Sequence, residues 1–234
     1  MNVLVCGGAG FIGSEFIRNH LKNNSDSKLT NLDILTIGSN LQNLKNIENN
    51  PNYSFIKENI TNESIIDGIV KDVDVIVNFA AESHVDRSIS NPKPFLETNI
   101  MGTYSILEAV RKYDKKFIHV STDEIYGDAY GQDSFDEESQ INPSNPYAAT
   151  KAAADNLVAS YHRTYGINCI ITRCTNNFGP FQFPEKLIPK TIIRSIKNLK
   201  VPLYGDGTQI RSWIFVNDHV NAIESLISKG KAGQ

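Results

Sequence analysis

Apolar residues run in short blocks at positions 3–6, 29–33, 54–57, 73–79, 117–120 and 167–172. Blocks of that length bounded by polar turns predict strands. Between them, apolar positions recur three and four apart, as at Ile12, Phe16, Ile17 and Leu21, or at Ile65, Ile66, Ile69 and Val70, and predict amphipathic helices. The stretch Val73-Asp74-Val75-Ile76-Val77 is almost continuously apolar, as a strand is when helices cover both faces of its sheet. Alternating strands and helices of this kind predict an α/β fold, a doubly wound parallel sheet with right-handed crossovers.

Two segments break the rhythm. Residues 127–146 carry five acidic side chains, no basic ones and two prolines, and read as a surface loop. Residues 181–211 reverse the balance, with Lys186, Lys190, Arg194, Lys197, Lys200 and Arg211 against Glu185 and Asp206. Such an excess is either a wet helix face or a cradle for phosphates.

Composition narrows the classes. A chain of 234 residues is long enough to bury a sizeable core. A net charge of −3 lacks the positive field on which nucleic-acid binding depends, so neither DNA nor RNA is expected as a partner. No apolar run approaches a membrane span, and the first strand starts almost at once, so a soluble cytoplasmic protein without a signal peptide is expected. Cys6, Cys169 and Cys174 form no C-x-x-C pair and are expected to be packing residues. No metal site is expected.

The run Gly7-Gly8-Ala9-Gly10-Phe11-Ile12-Gly13 follows the first strand and opens the first helix. Glycines in that setting permit a tight turn and let the backbone meet a pyrophosphate at the helix N-terminus. Asp33 ends the second strand, 20 positions after Gly13, where a carboxylate can accept hydrogen bonds from a ribose 2′-hydroxyl and would repel a 2′-phosphate. NAD is therefore expected over NADP.

Tyr147 and Lys151 are four apart in a helical stretch and share one face. A nearby ammonium favours the phenolate, so the pair suits removal of a proton from a hydroxyl. Ser121-Thr122-Asp123-Glu124 lies just past a strand end, where ligands bind in open α/β sheets. Adjacent carboxylates there can divide into an acid and a base if their surroundings push their pKa values apart.

With these motifs, and with residues 80–88, 97–103, 176–180, 183–189 and 205–211, nearly the whole chain resembles the extended short-chain dehydrogenase/reductase family, and within it the nucleotide-sugar dehydratases. The resemblance implies a Rossmann-type NAD-binding domain over residues 1–175. It implies a small nucleotide-sugar-binding part over 176–234, which looks truncated because family members continue past the position of Gln234. On the same resemblance, NAD would be lined by Gly7, Gly10, Phe11, Ile12, Gly13, Asp33, Asn59, Ile60, Ala80, Ala81, Ser83, Thr98, Tyr147, Lys151 and Asn177. The substrate, dTDP-glucose, would meet His84, Thr122, Asn176, Lys186, Leu187, Tyr204 and Arg211, although His84 reads equally well as a structural histidine. The implied reaction is oxidation at C4 by Tyr147, Lys151 and Thr122, then loss of water across C5 and C6 with Glu124 as base and Asp123 as acid, then hydride return to C6. A homodimer paired through two helices is implied as well. Rival readings are a nucleotide-sugar 4-epimerase or decarboxylase, against which the Asp123-Glu124 pair argues, and a non-catalytic NAD-binding protein.

Overall fold

In the computed structural model, which describes residues 1–129, 134–203 and 205–233, six parallel strands form the main sheet. They are β1 (Asn2–Cys6), β2 (Lys28–Leu32), β3 (Tyr53–Ile56), β4 (Val75–Asn78), β5 (Lys116–Thr122) and β6 (Cys169–Cys174), ordered β3-β2-β1-β4-β5-β6. Each falls within or beside one of the six apolar blocks. The order reverses between β1 and β4, and that reversal opens a crevice at their carboxyl ends.

Side-chain alternation along the strands divides the core in two. Leu4, Cys6, Ile76 and Phe117 point to the face covered by α2 (Glu63–Val70), α5 (Thr103–Tyr113) and α6 (Pro146–Tyr165), where they meet Ile66, Val70, Ile106, Leu107, Val110 and Val158. Val3, Val5, Val75, Val77, Ile118 and Val120 point the other way, onto Phe16, Ile17 and Leu21 of α1 (Phe11–Asn23) and onto Val216, Val220 and Ile223 of α8 (Val216–Lys229). Burying a Leu or Val side chain completely is worth about 1.5–3 kcal/mol, so these two layers carry most of the fold's stability.

The helix α8 comes late in the chain yet packs on the sheet beside α1. Polar pins hold it there: buried His20 of α1 faces the Glu224 carboxylate at 2.9 Å, and Lys116 Nζ donates to the Leu226 and Ile227 carbonyls at 2.8 Å each. A cation at a helix C-terminus satisfies carbonyls that have no partner within the helix.

Between β4 and α5 the chain forms α3 (Val85–Ser90) and α4 (Lys93–Phe95), and then wide π-type turns over Leu96–Gly102 that run directly into α5. Apolar spacing does not anticipate these turns. The short β7 (Asn176–Phe178) and β8 (Trp213–Phe215) pair in parallel as a separate two-stranded sheet, and α7 (Leu187–Ile196) lies between them in sequence. No residue of α7 is buried. Among the described residues no helix is long and apolar enough to cross a membrane.

Candidate active site

The glycine loop is built by close contact. Gly7 has φ +76°, and a Cβ there would lie 2.5 Å from the Ala80 backbone nitrogen; one on Gly13 would lie 2.4 Å from the Gly7 carbonyl oxygen. Gly10 is the residue before the first turn of α1, with no side-chain cap and no acidic residue in that turn. The helix therefore presents free N–H groups and the positive end of its dipole, with Phe11 and Ile12 in its first turn. Asp33, 5% exposed, accepts from Ala9 N at 2.9 Å and Leu35 N at 2.7 Å, which ties the carboxylate to the glycine loop. These residues fit a dinucleotide: a bare helix N-terminus for a pyrophosphate, a cradle that side chains would fill, and a carboxylate beside it for a ribose.

The other expected cofactor residues follow β3 and β4, lie in the π-type turns, or sit on β7. Ala80 and Ala81 follow β4, with Ala80 N donating to Asn78 Oδ1 at 3.1 Å. Asn59 and Ile60 follow β3; the Asn59 side chain accepts from Thr61 N at 3.0 Å, and Ile60 is buried against Gly102. Ser83 is exposed in the loop after β4, and Thr98 is half-buried in the π-type turns. Asn177 is buried in β7, and its Oδ1 accepts from His219 Nδ1 at 2.9 Å.

The chemistry-bearing side chains gather at the end of β5. Thr122 ends the strand, and its hydroxyl accepts from Glu124 N at 3.3 Å, starting the single turn Asp123–Tyr126. Helix α6 begins at a strong stop and start: Asn145 caps it by accepting from Ala148 N at 2.9 Å, and Pro146 occupies the first turn. The same Asn145 donates to Glu124 Oε2 at 3.4 Å, so the cap that starts the Tyr147 helix also touches the acidic pair. Tyr147 is anchored by its N–H, which donates to Ser88 Oγ at 3.1 Å, and by an edge contact with Phe95.

Burial raises the Tyr147 phenol above its ordinary value, Cys174, Glu124 and Asp123 push it the same way, and a hydrogen bond with Thr122 opposes them. The expectation that Lys151 draws this phenol toward neutrality is not met in this arrangement. The Lys151 ammonium, 3% exposed, instead donates to the Val120 carbonyl at 2.8 Å and lies 3.4 Å from His119 Nε2. Burial lowers its own pKa, and Asp155 is the first group opposing that.

The expected substrate residues divide. His84 Nε2 and Arg87 Nη2 each lie 3.2 Å from Glu185, which joins α3 to the turn before α7. Lys186, next to that carboxylate, is half-buried and its pKa is lowered, chiefly by burial. Leu187 is 53% exposed. Asn176 and Arg211 line an open groove of about 2090 Å³ that also reaches Asp123, Glu124 and Arg173 but not Tyr147, Lys151 or the glycine loop. Arg211 is exposed, and its guanidinium donates to the adjacent Ile210 carbonyl at 2.9 Å. Tyr204 lies outside the described residues.

Several residues at the site escape sequence reasoning. Buried Asn99 donates to the Glu82 carbonyl at 3.0 Å and to Thr150 Oγ1 at 2.9 Å, lacing the loop after β4 to α6. His119, Asp155 and Arg173 back Lys151 from three elements. Only Asp155 leaves a trace in the sequence, standing four residues after Lys151. Of the cysteines, Cys6 and Cys169 are buried as expected, whereas half-buried Cys174 adjoins Tyr147, with its thiol pushed up to about 11, mainly by burial.

The family model described as GDP-mannose 4,6 dehydratase matches residues 4–234. The chain is 47% identical over 235 residues to the low-salt glycan biosynthesis protein Agl12 of Haloferax volcanii, covering 100% of this chain and 75% of that protein. It is 46% identical over 255 residues to the dTDP-glucose 4,6-dehydratase of Escherichia coli, covering 100% of this chain and 70% of that enzyme. The crystal structure of the Bacillus anthracis dTDP-glucose 4,6-dehydratase in complex with NAD superposes with a TM-score of 0.94 at 45% identity, covering 100% of this chain and 73% of that one.

Proposed function

Because the chain belongs to the GDP-mannose 4,6-dehydratase family, we propose that it binds NAD and converts dTDP-glucose to the 4-keto-6-deoxy sugar nucleotide with loss of one water. The observation that carries this reading is the meeting of Thr122, Asp123, Glu124 and Tyr147 at one strand end, with Asn145 linking the acidic pair to the tyrosine helix. Oxidation at C4 alone needs only Tyr147, Thr122 and Lys151. A second pair of proton carriers beside them is what an elimination across C5 and C6 requires, and a 4-epimerase or decarboxylase has no use for it.

When bound, NAD would supply the hydride acceptor for C4 and the hydride donor for C6. Gly7, Gly10 and Gly13 would hold its pyrophosphate and Asp33 its ribose, with Phe11, Ile12, Asn59, Ile60, Ala80, Ala81, Ser83, Thr98 and Asn177 lining the remainder. Tyr147, acting as its phenolate, takes the proton of the 4-hydroxyl as hydride leaves C4, Thr122 hydrogen-bonds the same oxygen, and the Lys151 ammonium favours that phenolate. The C4 ketone acidifies C5. Glu124 removes the C5 proton, Asp123 protonates the departing 6-hydroxyl, and Glu124 then restores a proton to C5. His84, Asn176, Lys186, Leu187, Tyr204 and Arg211 belong on the nucleotide-sugar side. The division is a dinucleotide part over 1–175 and a sugar-nucleotide part over 176–234, with α8 of the latter packed back on the sheet. A homodimer through the faces of α5 and α6 and a cytoplasmic location complete the reading.

The test separates the two steps. Glu124→Gln is expected to slow water loss by at least about a hundredfold while substrate still reduces bound NAD, followed by its absorbance. Equal loss of both steps would sink the division of roles.

A further inference from the structure

Behind Lys151 lies a set of charges that the reaction described above does not use. Asp155 follows Lys151 by one turn of α6 and is 1% exposed. Its Oδ2 accepts from Arg173 Nε of β6 at 3.0 Å, and Arg173 Nη1 donates to the Tyr126 hydroxyl at 3.0 Å. Its Oδ1 is buried without a hydrogen bond and lies 3.6 Å from His119 Nε2. Lys151 Nζ is 3.4 Å from that same imidazole nitrogen.

Ala80 N donates to Asn78 Oδ1 at 3.1 Å, so the Asn78 amide turns its NH₂ to His119 Nδ1 at 3.5 Å. Asn78 and Lys151 both present donors to the ring, at Nδ1 and Nε2, and a neutral imidazole can accept from only one of them. Burial, and next the Lys151 charge, hold His119 well below its ordinary pKa and therefore neutral. A neutral imidazole cannot balance the ammonium beside it, and a buried charge without a counter-charge is costly.

We propose that Asp155 is a positioning residue for Lys151: its carboxylate, anchored by Arg173, is the counter-charge that keeps the ammonium protonated against the Val120 carbonyl. The titratable and charged groups facing Lys151 are His119 on β5, Cys174 on β6 with Arg173 behind Asp155, and Tyr147 and Asp155 on α6 itself. Of these, only Asp155 is a carboxylic acid; burial raises its pKa, and Lys151 first, then Ser121 and Arg173, oppose that. The inference rests on the dehydratase reading only for what Lys151 does when substrate is present.

The test titrates Lys151 by NMR in full-length protein labelled at the lysine ε-carbon, with Lys151→Arg identifying the signal. Asp155→Asn, which keeps shape and loses charge, is expected to lower the titration midpoint by about one pH unit or more and to slow substrate-driven NAD reduction about tenfold with little change in substrate KM. An unchanged midpoint in a folded Asp155→Asn protein would overturn the proposal. If that variant does not fold, Arg173→Gln carries the test: with the carboxylate freed from its competitor, the Lys151 midpoint is expected to rise, and a fall would count against the proposal. Failure of the unaltered protein to dehydrate dTDP-glucose would refute the functional reading alone, because the titration needs no substrate.

Discussion

The sheet and the segment between β7 and β8 are held in different ways. In the sheet, β1, β4 and β5 bury nearly every side chain between two helical layers; the glycine loop, Asp33 and Thr122 sit on or just past strands, and Lys151 on α6. In the segment, α7 buries nothing, while Ile196, Leu203 and Ile210 are 77%, 72% and 89% exposed. Its ties to the rest are few and partly polar: Glu185 with His84 and Arg87, the Arg18 guanidinium 4.5 Å from the Phe181 ring centre, and Thr175 donating to the Ser212 carbonyl at 2.9 Å. The glycine-loop end is thus held by the core, whereas the ties of the segment between β7 and β8 described here lie at the surface.

The largest expected contrast is in stability. Leu107→Ala, at a fully buried position, should cost about 2–5 kcal/mol, whereas Ile196→Ala on α7 should stay within about 0.5 kcal/mol of the parent. Denaturant titration of both checks this, and a comparable loss in the two proteins would erase the distinction.

Next comes the cofactor end by itself. Asp33→Ser should lose about 1.5–3 kcal/mol of NAD affinity, the range for hydrogen bonds to a charged group, and should improve NADP relative to NAD. Calorimetry with both nucleotides gives the ratio; an unchanged ratio would remove Asp33 from the ribose.

The smallest effect belongs to the hinge between the regions. Glu185→Gln breaks two partly exposed ion pairs and should cost less than about 1 kcal/mol of stability. Its signature is a rise of a few-fold in the KM for the sugar nucleotide with the Kd for NAD unchanged. If NAD binding weakened equally, the two ends would not be independent.

The same contrast explains what the sequence reveals. Buried parallel strands leave long apolar runs, so all six are legible, with end shifts such as 73–79 narrowing to Val75–Asn78. The glycine loop and the Tyr147–Lys151 pair are local patterns and are legible for that reason. Three-residue strands such as β7 and β8 bury too little to stand out. The surroundings of Lys151 come from β4, β5, α6 and β6, with His119, Asp155 and Arg173 brought together by folding alone, so its engagement with Val120, rather than with the tyrosine, leaves no sequence mark.

The most direct measurement is mass spectrometry of dTDP-glucose incubated in deuterated water with the purified 234-residue protein and NAD. Elimination with Glu124 exchanging its proton with solvent before returning it to C5 gives a product that has lost one water and gained one deuterium on carbon. Recovery of dTDP-glucose unchanged, or of an isomer of the same mass without carbon-bound deuterium, would contradict the assignment of this cluster to dehydration.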